Sequence, residues 1–98
     1  MTKPKVPKDY GEQYLYCRTF GHNWHLGHTE REGTSFYRFV LVCETCHTRR
    51  LDTINRRTGS MAHGGRRYEY PPGYQAARHE GLQRTTYRIE FIRRVDDG

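Results

Sequence analysis

The longest apolar run of the chain, FVLVC at 39–43, closes an eight-residue stretch, FYRFVLVC, that is rich in aromatic and β-branched side chains. That pattern predicts a strand over 36–43. The polar, glycine-containing TEREGTS at 29–35 predicts a loop before it. After it, Leu51 and Ile54 stand among polar residues, and RRTGS at 56–60 predicts a hairpin turn. RRYEYPPGY at 66–74 then reads as a short strand stopped by Pro71 and Pro72. Upstream, Tyr14, Leu15, Tyr16, Phe20 and Trp24 gather around Cys17, with Gly21 free to turn, which predicts a strand entering a knuckle.

The two ends carry different signals. Residues 1–12, with two prolines and three lysines, read as a flexible basic arm. In the C-terminal segment Tyr87, Ile89 and Phe91 alternate as a strand requires, but Tyr87, Phe91 and Val95 fall at helical spacing. Thr85 or Thr86 can cap a helix there and Arg93 and Arg94 suit its last turn, so the segment is expected to be helical. The expected organisation is an arm (1–12), a domain (13–75) and an Arg-rich, helical C-terminal segment (76–98).

Composition sharpens this picture. A chain of 98 residues with 34% apolar content can assemble only a small core, so any covalent or metal staple matters. Its 13% aromatic residues still exclude a wholly disordered chain. No run approaches the length of a membrane span, and no apolar segment follows the N-terminal cations, so a cytoplasmic location is expected. Three cysteines are an odd number for a disulfide scheme and suit a metal better.

Cys43 and Cys46 form a C-x2-C pair, a spacing that lets two thiolates on a tight turn face one ion. With Cys17 and His22 the pattern becomes C-x4-H-x20-C-x2-C, three thiolates and one imidazole that use every cysteine. His22 is preferred because Gly21 frees the backbone beside it, while His25, His28 and His47 remain alternatives for the fourth position. Four protein ligands leave no open position for water, so the expected ion is a single structural Zn2+. With no H-x-E pair near it and no glycine-rich phosphate loop, the chain is not expected to be an enzyme.

Three stretches, YCRTFGHNW, LVCETCHTRRLDTINRRTG and YEYPPGY, together resemble small zinc-ribbon-like proteins encoded by phages of actinobacteria. Their pattern runs C-x3-G-H-x-W, then C-x-x-C-x-T-x-R, then an Arg-rich turn and a Y-P-x-G-Y-like segment, and the likeness covers about residues 14–74. The resemblance implies a small, metal-stabilised, mainly β fold of two knuckles plus hairpins, with Cys17, His22, Cys43 and Cys46 as ligands. It implies little about function.

Charge supplies the functional expectation. Residues 1–48 hold six Lys/Arg against five Asp/Glu, whereas residues 49–98 hold eleven arginines against six acids. Three dibasic pairs, Arg49 and Arg50, Arg56 and Arg57, Arg66 and Arg67, follow the thiol turn and are interleaved with Tyr68, Tyr70 and Tyr74. On paired hairpins they would form a cationic, aromatic surface suited to phosphate contact with stacking, which makes nucleic acid the first expected partner. Arginine and tyrosine also dominate protein interfaces, so an adaptor or inhibitor of a host protein is the alternative.

Overall fold

A computed structural model describes residues 5–76 and 82–97 of the chain. The start of the expected arm, and the part of the C-terminal segment that carries His79, lie outside the described residues. The elements run α1 (Glu12–Phe20), β1 (Trp24–Glu32), β2 (Phe36–Cys43), β3 (Arg49–Asn55), β4 (Met61–Glu69) and α2 (Arg84–Asp97). The strands form one antiparallel sheet in the order β1-β2-β3-β4. The protein is thus small and mainly β, with a C-terminal helix. No described helix is long and apolar enough to cross a membrane.

The strand expected over 36–43 is β2, and the turn at 56–60 joins β3 to β4. There the Asn55 side-chain oxygen accepts the backbone N–H groups of Arg57 (2.9 Å) and Thr58 (3.0 Å). Two expectations about the strands fail. Residues 29–32 are the end of β1 and not a loop. As an edge strand largely exposed on both faces, β1 has no apolar alternation to advertise it. The stretch around Cys17 is a helix and not a strand. A strand would send Tyr14 and Leu15 to opposite sides, whereas the helix brings both against a cluster of Val6, Tyr10 and Tyr87.

That cluster also changes the arm. Val6 and Tyr10 are buried against α1 and α2, which anchors the segment that precedes α1 at those two residues. α2 begins at Arg84, which puts Thr85 and Thr86 inside its first turn. Its inward face is Tyr87, Glu90, Phe91 and Arg94, at i, i+3, i+4 and i+7, while Ile92 and Val95 stay exposed.

The sheet stands apart from the helices. α1 and α2 pack on each other, and neither of the two buried clusters holds a residue from the middle of a strand. The molecule is accordingly elongated, 53 × 29 × 21 Å. Register then decides what each face of the sheet presents, because directly paired residues share a face. A bulge at Gly27 shifts the β1 register between Leu26 and His28. Before it, Trp24 and Leu26 share the face of Leu41 and Cys43; after it, His28, Glu30 and Glu32 lie on the opposite face with Val40, Arg38 and Phe36. A side chain at Gly27 would press on the Val40 carbonyl oxygen at 3.2 Å.

Candidate metal centre and basic surface

The cluster forms where the helices meet the sheet. Cys17 lies near the C-terminal end of α1, and Gly21 (φ 94°) ends the helix while its N–H donates to the Cys17 carbonyl at 2.8 Å. The turn brings His22 alongside. Between β2 and β3, Cys43 N–H donates to the Thr48 carbonyl and His47 N–H to the Cys43 carbonyl, both at 2.9 Å, with His47 at a positive φ of 65°. This loop directs Cys43 and Cys46 inward.

The ligand atoms of Cys17, His22, Cys43 and Cys46 all lie within 4.8 Å of one another. Cys17 Sγ is 3.6 Å from Cys43 Sγ, and Cys46 Sγ is 3.3 Å from His22 Nδ1. A tetrahedral ion with bonds of about 2.3 Å to sulfur sets its sulfur atoms about 3.8 Å apart, so the donor set fits. The cysteines are buried and free of disulfides. The other candidates for the fourth position are elsewhere: His25 pairs with Glu44 (3.2 Å), His28 with Glu30 (2.8 Å), and His47 faces solvent.

Electrostatics point the same way. Burial, then the neighbouring Cys43 and Cys46, push the Cys17 thiol far up. Burial also opposes ionisation of Cys43, but the backbone amides of Cys46 and Asn23, the His22 ring and the Thr45 amide bring it down to about 6. Three adjacent buried sulfurs cannot all be thiolates without a cation among them. The group could hold one metal ion.

A supporting shell surrounds it. His22 Nδ1 faces Cys46 Sγ and its Nε2 lies 3.2 Å from Tyr74 Oη; with an ion on Nδ1, the proton would sit on Nε2 and be donated to that hydroxyl oxygen. Tyr74 is buried, and burial pushes its hydroxyl well above the ordinary range, so it stays neutral. Its ring stacks on Tyr70 (4.6 Å) and lies under the Arg18 guanidinium (4.5 Å), and Tyr10 Oη donates to its backbone carbonyl. Thr48 Oγ1 and Cys46 Sγ share a hydrogen bond at 3.0 Å. Tyr74, which the sequence places on a stacking surface, is therefore an internal partner of His22. Tyr74→Phe should keep the fold yet weaken metal binding about 10- to 100-fold, as read by competition with a chromophoric chelator.

The dibasic pairs do not converge on one surface. Strand alternation sends Arg49 and Arg50 to opposite faces, and Arg66 and Arg67 likewise. Arg49 pairs with Glu69 (3.1 Å), while Arg50 (3.2 Å) and Arg66 (2.9 Å) both hold buried Asp52. Arg56 and Arg57 are exposed at the β3–β4 turn, where they line an open depression of about 480 Å³ with Thr34, Ser35 and Asn55. Tyr68 and Tyr70 stack on one another (6.0 Å, 8°), Tyr68 also meeting Trp24 and Tyr70 meeting Tyr74.

Fold and site together define a small, mainly β chain with a three-cysteine, one-histidine group able to hold a metal. Comparison with protein-family models, curated proteins and solved structures finds no match for it.

Proposed function

We propose that the chain is a zinc-stabilised nucleic-acid-binding module, the ion held by Cys17, His22, Cys43 and Cys46. The observation that carries the metal is the convergence of those ligand atoms within 4.8 Å where the helices meet the sheet. Zinc suits three thiolates and an imidazole with no open position, and its role there is to hold the fold. The resemblance to zinc-ribbon-like proteins of actinobacterial phages points in the same direction. The nucleic-acid reading rests on a formal net charge of +6 and on the exposed Arg56 and Arg57 beside a hydroxyl-lined depression.

The test is a salt titration with the zinc-loaded chain. Affinity for labelled DNA or RNA should fall log-linearly with salt, and Arg56→Ala together with Arg57→Ala should reduce the slope by roughly two. Affinity that does not respond to salt, or no affinity at all, would end this reading. A second reading, an adaptor for a host protein, draws on the exposed apolar side chains of Ile89, Ile92 and Val95 on α2. It would show as capture of a protein partner that survives moderate salt.

A further inference from the structure

The two faces of the sheet differ in charge, and the difference comes from register. On the Val40 face, Arg38, Arg49 and Arg67 are matched by Glu30, Glu32 and Glu69. Arg38 bonds both Glu30 (3.4 Å) and Glu32 (2.6 Å), and Arg49 pairs with Glu69, so this face is internally neutralised. On the Phe39 face the strands carry Arg31, Arg50 and Arg66 against a single acid, Asp52, which is buried between Arg50 and Arg66. At its end Arg56 lies over the Tyr37 ring at 5.9 Å.

The same face holds the aromatic side chains of the strands' middle. Tyr37 and Phe39 alternate along β2, and Phe39 is 39% exposed with no described helix packed across it. Alternate residues of a strand stand about 6.7 Å apart, roughly twice the 3.4 Å rise between stacked bases of a duplex. A paired, stacked duplex cannot place base faces on both rings, whereas an unpaired strand with splayed bases can. A second copy of this chain would bring a face of the same positive sign against it, which disfavours self-association there.

Resting on the nucleic-acid reading above, we infer that this face, Tyr37 and Phe39 flanked by Arg31, Arg56 and Arg66, is a platform for single-stranded nucleic acid. Bases stack on the two rings, the arginines meet the phosphates, and the depression beside Arg56 and Arg57 receives the backbone beyond Tyr37.

The experiment is fluorescence anisotropy of the zinc-loaded full chain with a labelled 12-nucleotide oligo-dT or oligo-U and with a duplex of equal length. Single strand should bind more tightly than duplex. Tyr37→Ala and Phe39→Ala should each weaken it roughly 5- to 150-fold, Phe39→Trp should preserve it, and Arg67→Ala on the other face should change it less than twofold. Photocrosslinking of the unaltered chain should mark the 36–42 peptide, a readout that does not depend on any variant folding. Equal or better duplex binding, crosslinks elsewhere, or an Arg67→Ala loss as large as that of Phe39→Ala would overturn the platform while leaving nucleic-acid binding in place. A dimer in light scattering that Phe39→Ala dissociates would also overturn it, assigning the face to a protein contact. Absence of binding to every oligonucleotide would remove the broader reading as well.

Discussion

Chelation of the purified protein is expected to unfold it at 25 °C, with loss of near-ultraviolet circular dichroism and of one zinc per chain. The reason is where the cluster sits. Cys17 belongs to α1, Cys43 ends β2, and Cys46 lies in the turn that opens β3; these three with Tyr74 make the only buried apolar cluster among the described residues that joins helices to sheet. A structural zinc contributes on the order of 10–16 kcal/mol of apparent binding free energy at neutral pH. That matches or exceeds the about 5–15 kcal/mol total stability of an ordinary domain. Cys46→Ser should reproduce the effect without chelator, because it removes the sulfur that faces both His22 and Thr48. The readouts are metal content by mass spectrometry and the thermal midpoint. A chelated chain and a Cys46→Ser chain that both melt where the untreated protein melts would show that the thiols are merely buried.

The grouping of three cysteines and one histidine was legible because its information is local. C-x2-C fixes two ligands by chain geometry alone, Gly21 marks the break that lets His22 turn back, and only Cys17 had to be brought from a distance. His25 and His28 were separable from His22 only in three dimensions, since what removes them is pairing with Glu44 and Glu30 across β1 and its neighbours. Tyr74 could not have been assigned to His22 from the chain, because 52 residues separate them. Its position behind two prolines, Pro71 and Pro72, gave a turn but no target.

The fold was legible where strands are half-buried and opaque where they are not. FYRFVLVC carries β-branched and aromatic residues because β2 is a central strand. TERE in β1 carries only Thr29 of that kind and no apolar residue, because an edge strand exposed on both sides is under no demand to alternate. Bulges hid the rest: Gly27 moves the acids of β1 onto the face of Arg38, and no period-two reading of the sequence anticipates that reversal. The dibasic pairs misled for the same reason. Two adjacent arginines in a strand look like a patch in one dimension and are divided by the sheet in three.

Glu90→Gln is expected to cost about 2–3 kcal/mol, a fall of roughly 10–20 °C in thermal midpoint. Glu90 is buried in α2, where Arg93 and Arg94 both bond its carboxylate, the latter at 3.1 Å. Arg94 also donates to the carbonyls of Tyr10 (2.8 Å), Pro7 (3.1 Å) and Lys8 (3.2 Å), so Glu90 fixes the side chain that ties the N-terminal segment down. The figure sits at the low end for a broken buried pair because Arg93, 46% exposed, can return to water. Burial opposes ionisation of Glu90, but the two guanidiniums win and hold its carboxyl below the ordinary 4.5. A depressed native value means the stabilisation is full above the unfolded-state value and is lost as pH falls through the native one. The gap between Glu90→Gln and the unaltered chain should therefore be constant from pH 6 to 8 and narrow below about pH 4.5. Thiol protonation and metal release act on both proteins alike, so the difference between their denaturation midpoints isolates Glu90. A gap that widens on acidification, or one already absent at pH 7, would mean that the arginines hold the N-terminal segment without it.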